Sequence, residues 1–458
     1  MLLTLTACGT APEEADISLD SDRGFIHYGG MEEVCATEDT VYFTSGQLVH
    51  YYEKATGISG VLCGKAECEH STAYGSSCNA YINSISDDLC LYNGRLYWRN
   101  YDTIYSMALD GTDHRTERQM ENDVYSNHTG GSLAIFHRGY AYVWVKNYTV
   151  KDGQEDASLD LAAVPLDPDG EIRMIFSDEL DDYASGRSCF VTMQAYGDNL
   201  YILTNYAVNG GEGDVNASLE LNDFRIRRYN AAARELTTLY HDSQSPIDYT
   251  VEMWAMDDGI VFFGYDRLGG AGSRFFQFDF ETGEITRLFG YDYGNVQIAE
   301  DLVVSSRYTC EKSNPTNPWG LTLAPQDIEM TGELYVVMQN FAGDVLVDDS
   351  YPLTGRYGAP YFQGMDDTYA YFFSSTSFNG TTYMSLIGVA LDGSGMEVLC
   401  TEEEFYDYGT GGHSTMTITE DDGTTITVED KKITIIPGDG GETVTMTVEE
   451  LIEKGYQP

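Results

Sequence analysis

Arg95-Leu96-Tyr97-Trp98, followed after a short break by Ile104-Tyr105-Ser106-Met107-Ala108-Leu109-Asp110-Gly111, is the stretch that decides the fold. Along the chain, alternating apolar or aromatic residues broken by Gly, Asp and Asn read as strands rather than helix. The second strand ends in Asp-Gly, a pair that accepts the positive φ of a tight hairpin turn. The same phrase returns in Tyr369-Ala370-Tyr371-Phe372-Phe373, leading to Leu386-Ile387-Gly388-Val389-Ala390-Leu391-Asp392-Gly393.

Further copies centre on Val41-Tyr42-Phe43, Tyr142-Val143-Trp144, Leu200-Tyr201-Ile202, Val261-Phe262-Phe263 and Leu302-Val303-Val304. Each is preceded by a short inner strand, such as Glu33-Val34-Cys35 or Leu133-Ala134-Ile135-Phe136. A repeat of this size built from strands alone predicts an all-β chain folded as a seven-bladed β-propeller, with eight blades as the alternative. Aromatics of the second strands, Tyr42, Tyr97, Trp98, Tyr142 and Tyr201 among them, are expected to fill the wedges between blades.

Residues 1–22 read as a leader and polar tether, 23–411 as the propeller, and 412–458 as a β-rich segment forming an eighth blade or an appended sheet. Phe25-Ile26-His27-Tyr28 is a candidate for the strand that closes the ring, and Glu449 to Lys454 for a helical turn or two. Long polar loops are expected at Lys151 to Asp160, at Asn209 to Asn222 and, with three prolines, at Cys310 to Thr331.

Over 458 residues the chain carries 74 acidic against 25 basic side chains, a formal charge of -49. That field repels polyphosphate and anionic membranes, so no nucleic-acid partner is expected. With 42% hydrophobic residues the chain has ample material for a core, and a soluble monomer is the expectation. Leu5-Thr6-Ala7-Cys8-Gly9 matches a bacterial lipobox, with Cys8 the lipidated residue and the polar stretch after it a tether. This predicts an extracytoplasmic address and membrane attachment through an N-terminal lipid anchor alone.

The densest chemical grouping is Cys63-Gly64-Lys65-Ala66-Glu67-Cys68-Glu69-His70, followed by Cys78-Asn79-Ala80-Tyr81. Three thiols and an imidazole suit a tetrahedral zinc ion. An extracytoplasmic address favours the other reading, a disulfide-pinned loop, with Cys35, Cys90, Cys189, Cys310 and Cys400 as further partners. Asp167-Pro168-Asp169-Gly170-Glu171 offers oxygens at calcium-like spacing but sits where a hairpin turn is expected. The expectation is no cofactor, with zinc and calcium as the alternatives.

Catalytic signatures are missing: no Gly-x-Ser-x-Gly elbow, no His-Glu-x-x-His helix and no phosphate-cradling loop occurs. His137 reads as structural. Carboxylate pairs such as Asp178-Glu179 read as solvated surface, although glycoside cleavage needs only two well-placed carboxylates. Loop aromatics, Trp319, Tyr291, Tyr293, Tyr406 and Tyr408, are the ligand-binding candidates.

The cysteine loop and the aromatic phrases together resemble those of bacterial cell-surface lipoproteins with TolB-like or related uncharacterised propeller repeats. The matching residues are Leu62-Cys63, Cys68-Glu69-His70 and Cys78-Asn79-Ala80-Tyr81, and the likeness covers most of residues 31–407. It implies a lipid-anchored surface propeller that binds a glycan (a polysaccharide), a peptide or an envelope protein. A carbohydrate-active hydrolase or lyase with a carboxylate pair in the central pocket, or a scaffold of an envelope complex, are the alternatives.

Overall fold

A computed structural model describes residues 23–25, 34–45, 47–70, 76–82, 89–100, 102–120, 134–151, 154–179, 189–207, 222–266, 272–291, 295–299, 302–310, 330–355, 359–378, 381–405, 416–419, 425–429, 432–436 and 444–447. Seven antiparallel sheets, each a meander of four consecutive strands, occupy residues 34–61, 90–119, 134–179, 189–245, 247–291, 295–355 and 361–405. The first strand of each sheet touches the first strands of its two neighbours, and that of the seventh, Tyr361–Met365, returns to that of the first, Val34–Ala36. This is a closed seven-bladed β-propeller. No helix occurs among the described residues.

The aromatic phrase builds the wedges as its pattern predicts. In the second strand of blade 2, Leu96 and Trp98 face the core shared with blade 1, while Tyr97 faces the core shared with blade 3. In blade 7, Phe372 packs towards blade 6, and Tyr371 and Phe373 towards blade 1. Seven such cores lie between successive blades around the ring. Burying one Leu or Phe contributes roughly 1.5–3 kcal/mol, so the wedges supply the main drive to close the ring. Tyr42, Tyr97, Trp98, Tyr142 and Tyr201 are all buried.

Turns follow their residues. Asn93 and Gly94 both take positive φ, 48° and 68°, as a two-residue hairpin turn requires. Gly111, at φ 76°, has a second constraint: a Cβ there would lie 2.2 Å from the carbonyl oxygen of Leu62.

Two expectations are corrected by the strand pairing. Among the described residues the N-terminal segment does not close the ring: Arg23–Phe25 instead pairs antiparallel with the inner strand of blade 4, Phe25 opposite Gln194, and Ile26 to Tyr28 lie outside the described residues. Blade 7 already holds four strands of its own, whereas the eight-residue inner strand Cys189–Tyr196 pairs with the second strand of its blade along one edge and takes Arg23–Phe25 on the other. An added strand satisfies that edge. Nor is Lys151 to Asp160 a loop, since the strands Tyr140–Lys151 and Gln154–Pro165 stay paired out to Lys151 opposite Gln154.

Closure of the ring rests on side chains. Beyond the core between blades 7 and 1, Lys54 Nζ reaches Asp366 Oδ2 at 2.5 Å and the carbonyl of Thr37 at 2.5 Å. Asp366 also accepts from the Tyr371 hydroxyl and from the backbone N–H groups of Thr368 (2.7 Å) and Tyr369 (2.8 Å). A separate four-stranded sheet, residues 416–447, follows the ring. The helical turn expected at 449–454 lies outside the described residues.

Candidate metal centre and the adjoining cleft

The chain between blades 1 and 2 is drawn back against blade 1. Leu62 N–H donates to Val49 O (2.9 Å), Val49 N–H to Ala80 O (2.9 Å), and Ile82 N–H to Gln47 O (2.8 Å). Leu62, Cys78, Ala80, Tyr81 and Ile82 are buried in the core between these blades. The two ends of the cysteine segment are thereby pinned side by side. The potential ligand atoms of Cys63, Cys68, His70 and Cys78 all lie within 4.8 Å of one another, with Cys78 Sγ 3.5 Å from His70 Nδ1.

His70 holds φ at 50°, a left-handed conformation that costs a residue with a Cβ of order 1 kcal/mol. Cys63, Cys68 and Cys78 carry no disulfide. Burial alone would raise the Cys63 pKa. Backbone N–H groups of Lys65 and Asn79, and the thiols of Cys68 and Cys78, outweigh it and lower the value. Cys78 is pushed up by burial, with Cys68 and Cys63 adding to the rise.

Cys78 is also part of a second feature. A cleft of about 740 Å³ opens between this segment and blade 2, lined among others by Ser77, Cys78, Trp98, Tyr105, His114 and Arg115. Its floor is the stacked pair Trp98–Tyr105, with ring centroids 5.6 Å apart. His114 stands edge-on to Trp98, and its Nε2 contacts Asn79 O at 2.7 Å. At the rim, Asp113 accepts from Arg95 Nη1 (3.0 Å) and from Arg115. Arg115 first, and Arg95 with it, hold the Asp113 carboxyl below the usual range despite some desolvation.

Other sequence candidates fall as follows. Cys8, Trp319, Tyr293, Tyr406 and Tyr408 lie outside the described residues, and Tyr291 ends the outer strand of blade 5 opposite Ser273. The oxygens at 167–170 form a turn whose Asp167, Pro168 and Gly170 carbonyls are engaged by the Arg118 guanidinium of blade 2. His137 is buried and its Nε2 contacts Gly197 O at 2.7 Å, a structural tie from blade 3 to blade 4.

Asp178 is a correction, since it is not solvated surface. It takes Arg227 Nη2 at 2.6 Å, Arg225 Nη1 at 3.4 Å and the Tyr206 hydroxyl across the seam between blades 3 and 4. Among inner-strand residues whose side chains are described, one carboxylate occurs, the buried Glu252. The axial pair that glycoside chemistry would need is not among them.

No family model matches the chain, and no curated protein matches it. Among solved structures, TolB from Acinetobacter baumannii is 12% identical over 79% of this chain and 77% of its own, with a TM-score of 0.31. An ulvan lyase is 10% identical over 96% and 99%, with a TM-score of 0.30. A puromycin-hydrolysing peptidase of Mycobacterium tuberculosis is 10% identical over 91% of this chain, which spans 59% of that protein, with a TM-score of 0.41. The class of protein that strand pairing and wedge packing define is the seven-bladed β-propeller. Its structural neighbours include the TolB propellers and also peptidases, glycoside hydrolases and polysaccharide lyases.

Proposed function

We propose that this chain is a non-catalytic binding module, anchored outside the cytoplasm through lipid on Cys8, whose cleft between blades 1 and 2 holds a segment of polysaccharide. One observation carries the reading: a guanidinium and a carboxylate, Arg115 and Asp113, sit beside exposed His114, Thr112 and Thr116 over an aromatic floor. Donors next to acceptors complement the neighbouring hydroxyls of a sugar ring, and a charged donor makes the stronger of those hydrogen bonds.

The test is incubation of the purified chain with a glycan library, followed by mass spectrometry of retained and free pools. Intact glycans should be retained, and Arg115→Ala should weaken retention about tenfold or more, the loss of one charge-assisted hydrogen bond. New reducing or unsaturated ends would establish an enzyme instead. Retention of peptides or proteins only would overturn the polysaccharide reading. For the address, Cys8→Ser should move the protein from the membrane to the soluble fraction of the source cell, and a cytoplasmic wild-type protein would refute it.

A further inference from the structure

We infer that Cys63, Cys68, His70 and Cys78 form a closed tetrahedral site for one zinc ion, independent of what the cleft binds. Zinc takes thiolate sulfur at about 2.3 Å and imidazole nitrogen at about 2.0–2.1 Å. Tetrahedral angles then put sulfur and nitrogen about 3.5–3.6 Å apart and two sulfurs about 3.8 Å apart. Cys78 Sγ and His70 Nδ1 stand at 3.5 Å, and all four ligand atoms lie within 4.8 Å. A disulfide consumes two sulfurs and explains neither the third nor the imidazole. The metal uses all four.

Three further features fit a metal-bound thiolate. Backbone N–H groups of Lys65 and Asn79 face Cys63, and that of Ala80 faces Cys78, donors that offset anionic sulfur. The Lys65 ammonium lies close by, hydrogen-bonded to Ser77 O, against the net negative charge of three thiolates on a divalent ion. His70 keeps its left-handed backbone while presenting Nδ1 to the cluster. Soft sulfur donors exclude calcium and magnesium, and four protein ligands leave no open position for chemistry, so the role is structural. The ion staples residues 62–63 to 78–80, the segment that walls the cleft.

The test uses the full chain, expressed with zinc in the medium and purified without chelator. Elemental analysis should find about one zinc per chain. Cys68→Ser and His70→Ala should each lower it at least tenfold, while His70→Cys, which restores four ligands, should keep it. Cobalt exchanged into wild type and His70→Cys should show tetrahedral d–d bands with thiolate-to-cobalt charge transfer. Full zinc content in Cys68→Ser would overturn the proposal. So would a metal-free wild-type chain lighter by two hydrogens, with two of the three cysteines cross-linked. Neither result depends on glycan retention.

Discussion

Asp366→Ala should weaken the ring at its closing seam more than any ordinary surface change. The carboxylate accepts from Lys54 across the seam and from the buried Tyr371 hydroxyl and two turn N–H groups on its own blade. Loss of a charge-assisted bond costs about 1.5–3 kcal/mol, and stranding a buried hydroxyl about 1–3 kcal/mol. The side chains of Lys54 and Asp366 are 24% and 16% exposed, so water recovers part of this, and the expected loss is about 3 kcal/mol. Unfolding entropy of about 2.1 cal/mol/K per residue over roughly 370 ring residues gives about 0.8 kcal/mol/K, hence a Tm lower by about 4 °C.

Lys54→Met keeps the stem and leaves Asp366 three neutral donors, so it should cost about 1–2 kcal/mol. Scanning calorimetry of both variants and of the double variant gives their coupling. A coupling near 1 kcal/mol is expected. A value within about 0.3 kcal/mol of zero would show that the two residues act independently and refute the clamp.

The same carboxylate sets a pH dependence. Although burial alone would raise it, Lys54, Tyr371 and the two N–H groups hold its folded pKa below the ordinary value. Its contribution is therefore complete above the unfolded carboxylate pKa of about 3.9 and is lost as pH falls through the lower folded value. The Tm gap between wild type and Asp366→Asn should be constant from neutrality to about pH 4 and narrow below it. Persistence of the full gap in stronger acid would contradict this. At Gly111, alanine meets both positive φ and the Leu62 carbonyl, and should cost about 3 kcal/mol. Gly57→Ala, at φ 69° with nothing within 4 Å, should cost about 1 kcal/mol. Equal losses in urea unfolding would show that the Leu62 contact carries no energy.

The ring was legible because one aromatic strand phrase returns about seven times along the chain, and a repeat built from strands alone reads as a propeller. Lys151 to Asp160 was not. Its charged residues look like a loop, and only the partner ladder shows that they continue a hairpin. Asp178 was misread for a related reason: its partners Arg225 and Arg227 lie about fifty residues away, on one face of a strand whose other face carries Phe224 and Ile226 towards blade 5. The alternation Phe-Arg-Ile-Arg at 224–227 was the available signal. For the cysteine segment the residues were identified but not their convergence, because linear spacing does not separate a disulfide loop from four ligands around one point. His114 and Arg115 carried no motif, and what places them at a cleft is the packing of blade 2 against the cysteine segment.

Every blade draws its four strands from one continuous stretch, and the seam between the seventh and the first shares none. Duplicating or deleting the coding segment for any blade but the fourth, which also pairs with Arg23–Phe25, would thus leave every backbone ladder of the ring whole. What resists such a change is angular: each wedge of side chains is cut for a seventh of a circle. In lineages related to this chain, blade number is therefore expected to shift together with the size of the aromatic residues between blades, and far less with the hairpins that build them.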